Sequence, residues 1–353
     1  MAYTDIDDPS EYFQTVIWTG NDSNPRTILH DGNSDMQPDW LWHKLRSGIL
    51  SHMTYDSTRG VTKRLHIDQD VAEAVESAAG TVTAFTSDGF TVDAGTSTDV
   101  YVNDGSRTYV SWGWKANGGT TSSNTDGSIT STVQVNQEAG FSIGTYTGTG
   151  SELTVGHGLG AVPKLHITKK LNAADAWNVY HESIGNTHGL RLNSTDAKED
   201  FGFYGDTSPT SSVFTVGGVT DNDRLNTNGG SYVFYSFAEK QGYSKIGSYV
   251  GNGSTDGTFV YTGFKPAWVM CKSTASTSDW YIYDNKREGY NVDNDHLLAN
   301  STAAEATADE IDMLSNGFKL RIATDPNVAE AYVYMAFAEN PFVSSEGVPT
   351  TAR

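Results

Sequence analysis

Three lysines recur in a setting regular enough to suggest chemistry. Lys44, Lys169 and Lys272 each close a phrase that begins with proline: Pro38-Asp-Trp40-Leu-Trp42-His-Lys44, Pro163-Lys-Leu165-His-Ile167-Thr-Lys169 and Pro266-Ala-Trp268-Val-Met270-Cys-Lys272. A cation placed alike three times could be a ligand contact repeated at each site. The simpler expectation is a strand-end lysine whose stem covers the sheet while its amine reaches water. His157 lies in Gly156-His157-Gly158-Leu159-Gly160, where glycines would let a backbone approach a phosphate. No Gly-Lys-Ser/Thr follows and no helix should open there, so a turn before a strand is expected. Asn291-Val-Asp293-Asn294-Asp295 begins like a calcium loop. The loop would then need Gly where His296 stands and Glu where Thr302 stands, so an acidic surface loop is expected here and at Asp221-Asn222-Asp223. His181-Glu182 lacks the second histidine of a zincin helix, no Gly-x-Ser-x-Gly elbow occurs, and no acidic pair stands out as the two carboxylates of a glycosidase. No catalytic residue, cofactor or metal is expected.

The aromatic residues divide by position. Trp18, Trp112, Trp114, Trp177, Trp268 and Trp280 fall mostly on recurring positions and should be core. Tyr204 and Tyr290 fall in loops outside the recurring pattern, which makes them the candidates for contact with an outside partner.

What must position these residues is a repeat. After each proline a tyrosine follows in the same register (Tyr55, Tyr180, Tyr283), and before each stands an aromatic residue followed by glycine: Trp18-Thr-Gly20, Tyr146-Thr-Gly148, Tyr249-Val-Gly251. The copies end on Tyr109-Val-Ser-Trp112-Gly-Trp114, Tyr232-Val-Phe-Tyr235-Ser-Phe237 and Tyr332-Val-Tyr-Met335-Ala-Phe337. A Ser-x-Gly-Phe phrase precedes the ending at Ser87–Phe90 and Ser315–Phe318, whereas the second copy has only Ser212-Val-Phe214 and is the divergent one. The reading is an N-terminal arm over 1–12, repeats over 13–115, 141–239 and 244–339, a linker over 116–140 and a tail over 340–353. The linker is rich in Gly, Ser, Thr and Asn, so it should be flexible, with a short strand at Thr132–Asn136. Only Lys240-Gln-Gly-Tyr243 separates the last two copies, which should therefore pack more rigidly together than the first two.

Alternation of large apolar residues with a period of two marks strands. After each proline the residues two and four on are large and apolar, and the one between (Leu41, His166, Val269) is moderately so, as in a central strand with both faces covered. Several such runs separated by Gly/Asn/Asp/Ser turns in about 100 residues predict an all-β fold of three tandem pseudo-repeats, each a Greek-key or jelly-roll β-sandwich. Two Ala/Glu-rich stretches, Val71–Ala79 and Ala303–Ile311, are expected to form short helices in a surface crossover.

Composition narrows the class. The formal net charge is −20, which would repel a phosphate backbone, so nucleic-acid binding is not expected and a soluble acidic surface is. The single cysteine, Cys271, excludes an intrachain disulfide and should be a buried thiol in a strand. The opening Met1–Asp8 has neither a basic region nor an apolar stretch, so no export leader is expected, and no apolar run suggests membrane insertion.

Several phrases taken together resemble a family of marine tailed-phage proteins of the kind labelled tail fibre-like virion protein. They are Tyr146-Thr-Gly148-Thr-Gly150, Gly156–Gly160, Trp177-Asn-Val-Tyr180-His181, Gly242-Tyr243-Ser-Lys245-Ile-Gly-Ser-Tyr249, Asp312-Met-Leu-Ser-Asn-Gly317-Phe318 and Phe337-Ala-Glu339-Asn340-Pro341-Phe342. The resemblance spans nearly the whole chain, including Asp8-Pro9 and Tyr12-Phe13. It implies a non-enzymatic virion protein made in a host cytoplasm, most simply a tail-fibre or tail-appendage subunit that helps attach to the host surface. Its partners would be other virion proteins, itself as a homotrimer by analogy with β-fibres, and a host glycan or receptor, with Tyr204 and Tyr290 as host contacts. The alternatives are a capsid decoration protein, where three similar domains would occupy a pseudo-threefold position, and a glycan-degrading tail enzyme.

Overall fold

The structure, a computed structural model, describes residues 4–75, 78–96, 101–200, 202, 204–217, 222–287, 291 and 295–350. It is all-β. The first unit contains β1 (Phe13–Thr19), β2 (Arg26–Ile28), β3 (Trp40–Leu45), β4 (Met53–Asp56), β5 (Lys63–His66), β6 (Ala74–Val75), β7 (Thr81–Thr86), β8 (Gly89–Asp93) and β9 (Thr108–Trp114). Its main sheet runs β1-β9-β3-β4-β5-β6 and a small sheet runs β2-β8-β7. The second unit contains β10 (Ser122–Asn124), β11 (Ser131–Asn136), β12 (Phe141–Thr147), β13 (Leu153–Gly156), β14 (Leu165–Lys170), β15 (Asn178–His181), β16 (His188–Arg191), β17 (Glu199–Asp200), β18 (Val213–Val216) and β19 (Ser231–Phe237). Its sheets run β10-β11-β12-β19-β14-β15-β16-β17 and β13-β18. The third contains β20 (Ser244–Val250), β21 (Phe259–Tyr261), β22 (Phe264–Ser273), β23 (Tyr281–Asp284), β24 (Leu297–Leu298), β25 (Ile311–Leu314), β26 (Gly317–Leu320) and β27 (Ala331–Pro341), in sheets β20-β27-β22-β23-β24 and β21-β26-β25. In each main sheet the closing strand lies between the opening strand and the strand that carries the recurring lysine.

Strand alternation explains how these sheets pack. In β3, Leu41 and Leu45 point into a cluster shared with Phe90 and Val92 of the small sheet, which makes the unit a sandwich. Trp40 and Trp42 point the other way, into a core to which all three main sheets contribute. The same division holds for Val269 and Cys271 against Trp268 and Met270 in β22. The chain therefore has one central core, as well as a smaller core inside each sandwich. At the centre Trp40 stacks on Tyr235 with ring centroids 4.4 Å apart, Trp114 meets Trp268 edge-on at 5.7 Å, and Phe237 meets Phe337 at 5.8 Å. All eight tryptophans are buried.

Three expectations are corrected by this arrangement. The stretch 116–140 carries β10 and β11, which extend the second main sheet. Its start is wound around the buried Asp39 carboxylate, which accepts from the backbone N–H groups of Ala116, Gly118 and Gly119 at 2.7–2.9 Å. Composition alone favours a flexible linker, but a buried carboxylate with several N–H donors orders it. Second, the first unit is not set apart from the closely spaced last two, because all three contribute to one core. Third, no helix forms over 303–311 or over the described part of 71–79; Glu73 N–H and Glu305 N–H bond to carbonyls of a neighbouring sandwich, Ala74–Val75 pair with β5 and Ala306 pairs with His296, so tertiary context overrides local propensity. The N-terminal arm is also packed: Ile6 and Tyr12 join the central core, and Tyr12 meets Tyr243 edge-on at 5.9 Å.

Candidate functional site

The three recurring lysines mark the places where one sandwich grips the next. After each lysine strand the chain turns, and two backbone groups of that turn bond to an arm from another sandwich. Leu50 N–H donates to Thr302 O (2.9 Å) and Arg46 O accepts from Glu305 N–H (3.0 Å). Asp175 N–H donates to Asp70 O (2.7 Å) and Leu171 O accepts from Glu73 N–H (2.8 Å). Ser278 N–H donates to Thr195 O (2.9 Å) and Thr274 O accepts from Lys198 N–H (3.2 Å). The first sandwich receives the arm of the third, the second that of the first, and the third that of the second. A head-to-tail contact used three times, with each unit gripping the next, closes into a ring.

The lysine amines lie inside these junctions, which corrects the expectation that they reach water. All three residues have no exposed surface. Lys44 Nζ donates to Leu45 O (2.9 Å) and Thr302 O (3.2 Å), Lys169 Nζ to Asp175 O (2.8 Å) and Asp70 O (3.2 Å), and Lys272 Nζ to Ser273 O (2.8 Å). Burial lowers each amine to about 8, although nearby carboxylates such as Asp68, Asp175 and Asp325 pull the other way. A strand end has spare carbonyls, and an arm laid across it leaves more. The long lysine stem carries donors to them.

A second set of groups locks two of the junctions and went unnoticed in the sequence. Asp56 accepts from Arg59 Nε (2.5 Å) and from Tyr235 Oη of the second sandwich (2.7 Å). Asp284 accepts from Arg287 Nε (2.6 Å) and from Trp112 Nε1 of the first (3.0 Å). Burial opposes the charge on Arg59 and Arg287, but Asp56 and Asp284 hold both guanidinium groups charged. At the third junction His181, Ile184 and Met335 stand where the others have Asp, Arg and a side-chain donor, and His181 Nε2 instead meets Tyr334 O at 3.3 Å. Charge, counter-charge and donor are lost together there, as they must be where an unpaired buried ion would be costly. The readable signal was Asp-x-x-Arg directly after the recurring tyrosine, present at Asp56–Arg59 and Asp284–Arg287.

One concave site opens at the seam between the first and third sandwiches, with a volume of about 380 Å³. Phe13, Gln14 and Thr15 of β1 form one wall, the turn around Asp31 and Asn33 another, and Asn285, Lys286, Glu339 and Asn340 the third-sandwich side. Lys286 Nζ bridges the rim to Asp31 Oδ1 at 2.9 Å. Glu339 is held by Lys265 Nζ (2.9 Å) and Asn285 Nδ2 (2.6 Å). Thr15 is 4% exposed and its Oγ1 has no hydrogen-bond partner among the described residues.

The residues singled out earlier scatter away from this seam. Tyr204 is not an exposed loop contact: it is 3% exposed, its ring packs edge-on to His166 (5.7 Å) and Tyr180 (5.8 Å), and burial raises its phenol pKa. It fills the second sandwich's core, where a loop aromatic found apolar neighbours that the repeat pattern did not reveal. Tyr290 lies outside the described residues, as do Asp221 and most of the acidic run after Asn291. His157 is buried, with Nε2 3.1 Å from Thr210 O and Nδ1 accepting from Leu159 N–H, so it ties its turn together. The flanking Gly158 and Gly160 have φ of +73° and +67°, the left-handed region in which glycine is unstrained. Cys271 is buried in β22, which pushes its thiol up to about 12. Among the described residues no group of His, Cys, Asp and Glu could hold a metal ion, and no helix is long and apolar enough to cross a membrane.

A family model described as a domain of unknown function (DUF7483) matches residues 8–341. No curated protein and no solved structure matches the chain.

Proposed function

We propose, from the premise that this chain belongs to that family of unknown function, that it is a non-enzymatic structural protein of a tailed-phage particle, a tail-appendage subunit that contributes to attachment to the host surface. The observation that carries the reading is the closed ring of three sandwiches on one aromatic core. Its recurrent polar groups are spent on holding neighbours: the Lys44 and Lys169 amines on a neighbour's carbonyls, and the Asp56 and Asp284 carboxylates on a neighbour's tyrosine and tryptophan. In this proposal the threefold arrangement that a β-fibre obtains from three chains is supplied within one chain, and the partners are other virion proteins, further copies and a host glycan or receptor.

A second reading, a capsid decoration protein, is favoured by the same pseudo-threefold ring, which would match a threefold position on a lattice. Immunogold labelling of intact virions separates the two. Gold on the tail is the expected result. Gold spread over the head would replace the appendage reading with decoration, and unlabelled particles lacking the protein in mass spectrometry would end both.

A further inference from the structure

The geometry points to the seam cavity between the first and third sandwiches as a binding site for a neutral sugar residue of a glycan. The inference rests on the attachment reading above, for which it names the ligand class and the place.

The argument begins with what the cavity offers. Small binding sites occupy roughly 300–1,000 Å³ and combine an apolar base with a few converging polar groups; this cavity, at about 380 Å³, is at the small end. Its base includes Phe13, Ala267 and Ala338, all buried or nearly so. Its sides carry both donors and acceptors: the carboxamides of Asn33 and Asn340, the carboxylates of Asp31 and Glu339, and the ammonium of Lys286. Thr15 lines the same space, and its buried hydroxyl has no partner among the described residues. A buried hydroxyl left unpaired costs free energy that a ligand hydroxyl would restore.

Charge excludes the other classes. An anionic ligand would face Asp31 and Glu339 with Lys286 as the one cation among the lining groups, and that cation already bridges to Asp31. A bare metal ion has no cluster of ligands among the described residues. An apolar ligand would bury the amides and carboxylates unpaired. A polyhydroxylated neutral ring meets the set: vicinal hydroxyls donate to a carboxylate and exchange bonds with an amide, while its C–H face lies on the apolar base. The site is completed only by closing the ring, since β1 and the 31–33 turn come from one sandwich and 285–286 and 338–340 from another.

The test uses the full chain in saturation-transfer NMR with glucose, galactose, mannose and N-acetylglucosamine, and with inorganic phosphate as the anionic probe. Transfer to at least one sugar is expected. Thr15→Val, which keeps the side-chain shape, and Asn340→Ala should each raise Kd by about tenfold, the scale of one hydrogen bond in a buried site, with thermal unfolding no lower than the parent's. No transfer to any sugar, transfer to phosphate alone, or sugar transfer unchanged in both variants would overturn the site. The virion reading is judged separately: a labelled tail with no sugar binding removes this site alone, and sugar binding with unlabelled particles removes the attachment reading.

Discussion

At the residue scale, three asparagines show how closely the sandwiches are built alike. Asn103, Asn226 and Asn327 have no exposed surface. Each side-chain oxygen accepts from the backbone of the loop that follows the opening strand: from Asn21 N–H (3.3 Å), Thr149 N–H (2.7 Å) and Asn252 N–H (3.2 Å). The glycine in each aromatic-x-Gly phrase lies against the same place. A Cβ on Gly20, Gly148 or Gly251 would come within 1.9, 2.3 or 2.1 Å of the Asp104, Thr227 or Val328 carbonyl oxygen. The tyrosine of each closing phrase donates no such clash; its hydroxyl accepts from the N–H of Asp104, Thr227 or Val328. Asn226→Ala should therefore cost about 2–3 kcal/mol, since it strips partners from buried backbone groups. A chemical denaturation midpoint within error of the parent protein would show that the amide is dispensable.

At the scale of elements, the stretch joining the first two sandwiches shows how tertiary bonds order a segment that composition leaves loose. Gln134 of β11 has no exposed surface; its Nε2 donates to Ser57 Oγ (2.9 Å) and Thr58 Oγ1 (2.7 Å), and its Oε1 accepts from Gly119 N–H (2.9 Å). One side chain thus ties β11 to both the first sandwich and the start of the linker. Brief digestion with a protease of broad specificity should leave residues 116–131 uncut in the parent protein, while Gln134→Ala should be cleaved there first. Early cleavage of the parent in this stretch would return it to the flexible class.

At the scale of the whole molecule, the buried histidines tie stability to pH. Burial depresses His43 to about 3, with Arg64 adding to it, and His181 to about 4; His52 and His166 are also held well below their ordinary value by burial. Unfolded, each would take up a proton near pH 6.5. Above that pH both states are neutral and the histidines do not affect the balance. As pH falls below it the unfolded chain binds protons first, so stability is lost progressively from about 6.5 toward the depressed values. The urea midpoint should drop between pH 7 and pH 5, before ordinary carboxylates titrate, and His43→Gln should drop less. A midpoint that stays level to pH 5 would contradict the neutral burial of these rings.

What the sequence by itself determined is local. The period-two alternation after each proline marked the strands, the aromatic-x-Gly and closing phrases marked where each unit opens and ends, and recurring tryptophans marked the core, because side-chain direction and turn chemistry are set by near neighbours. It did not reveal that Trp40 and Leu41, adjacent in the chain, serve different cores, or that the lysine amines turn inward. Those outcomes depend on which surface covers the outer face of each main sheet, and that surface belongs to another sandwich, distant in the chain. Tyr204 was misplaced for the same reason, since a loop residue's burial is decided by what folds over it. The ring, its junctions and the seam cavity exist only once all three sandwiches meet, and only the tertiary structure decides that.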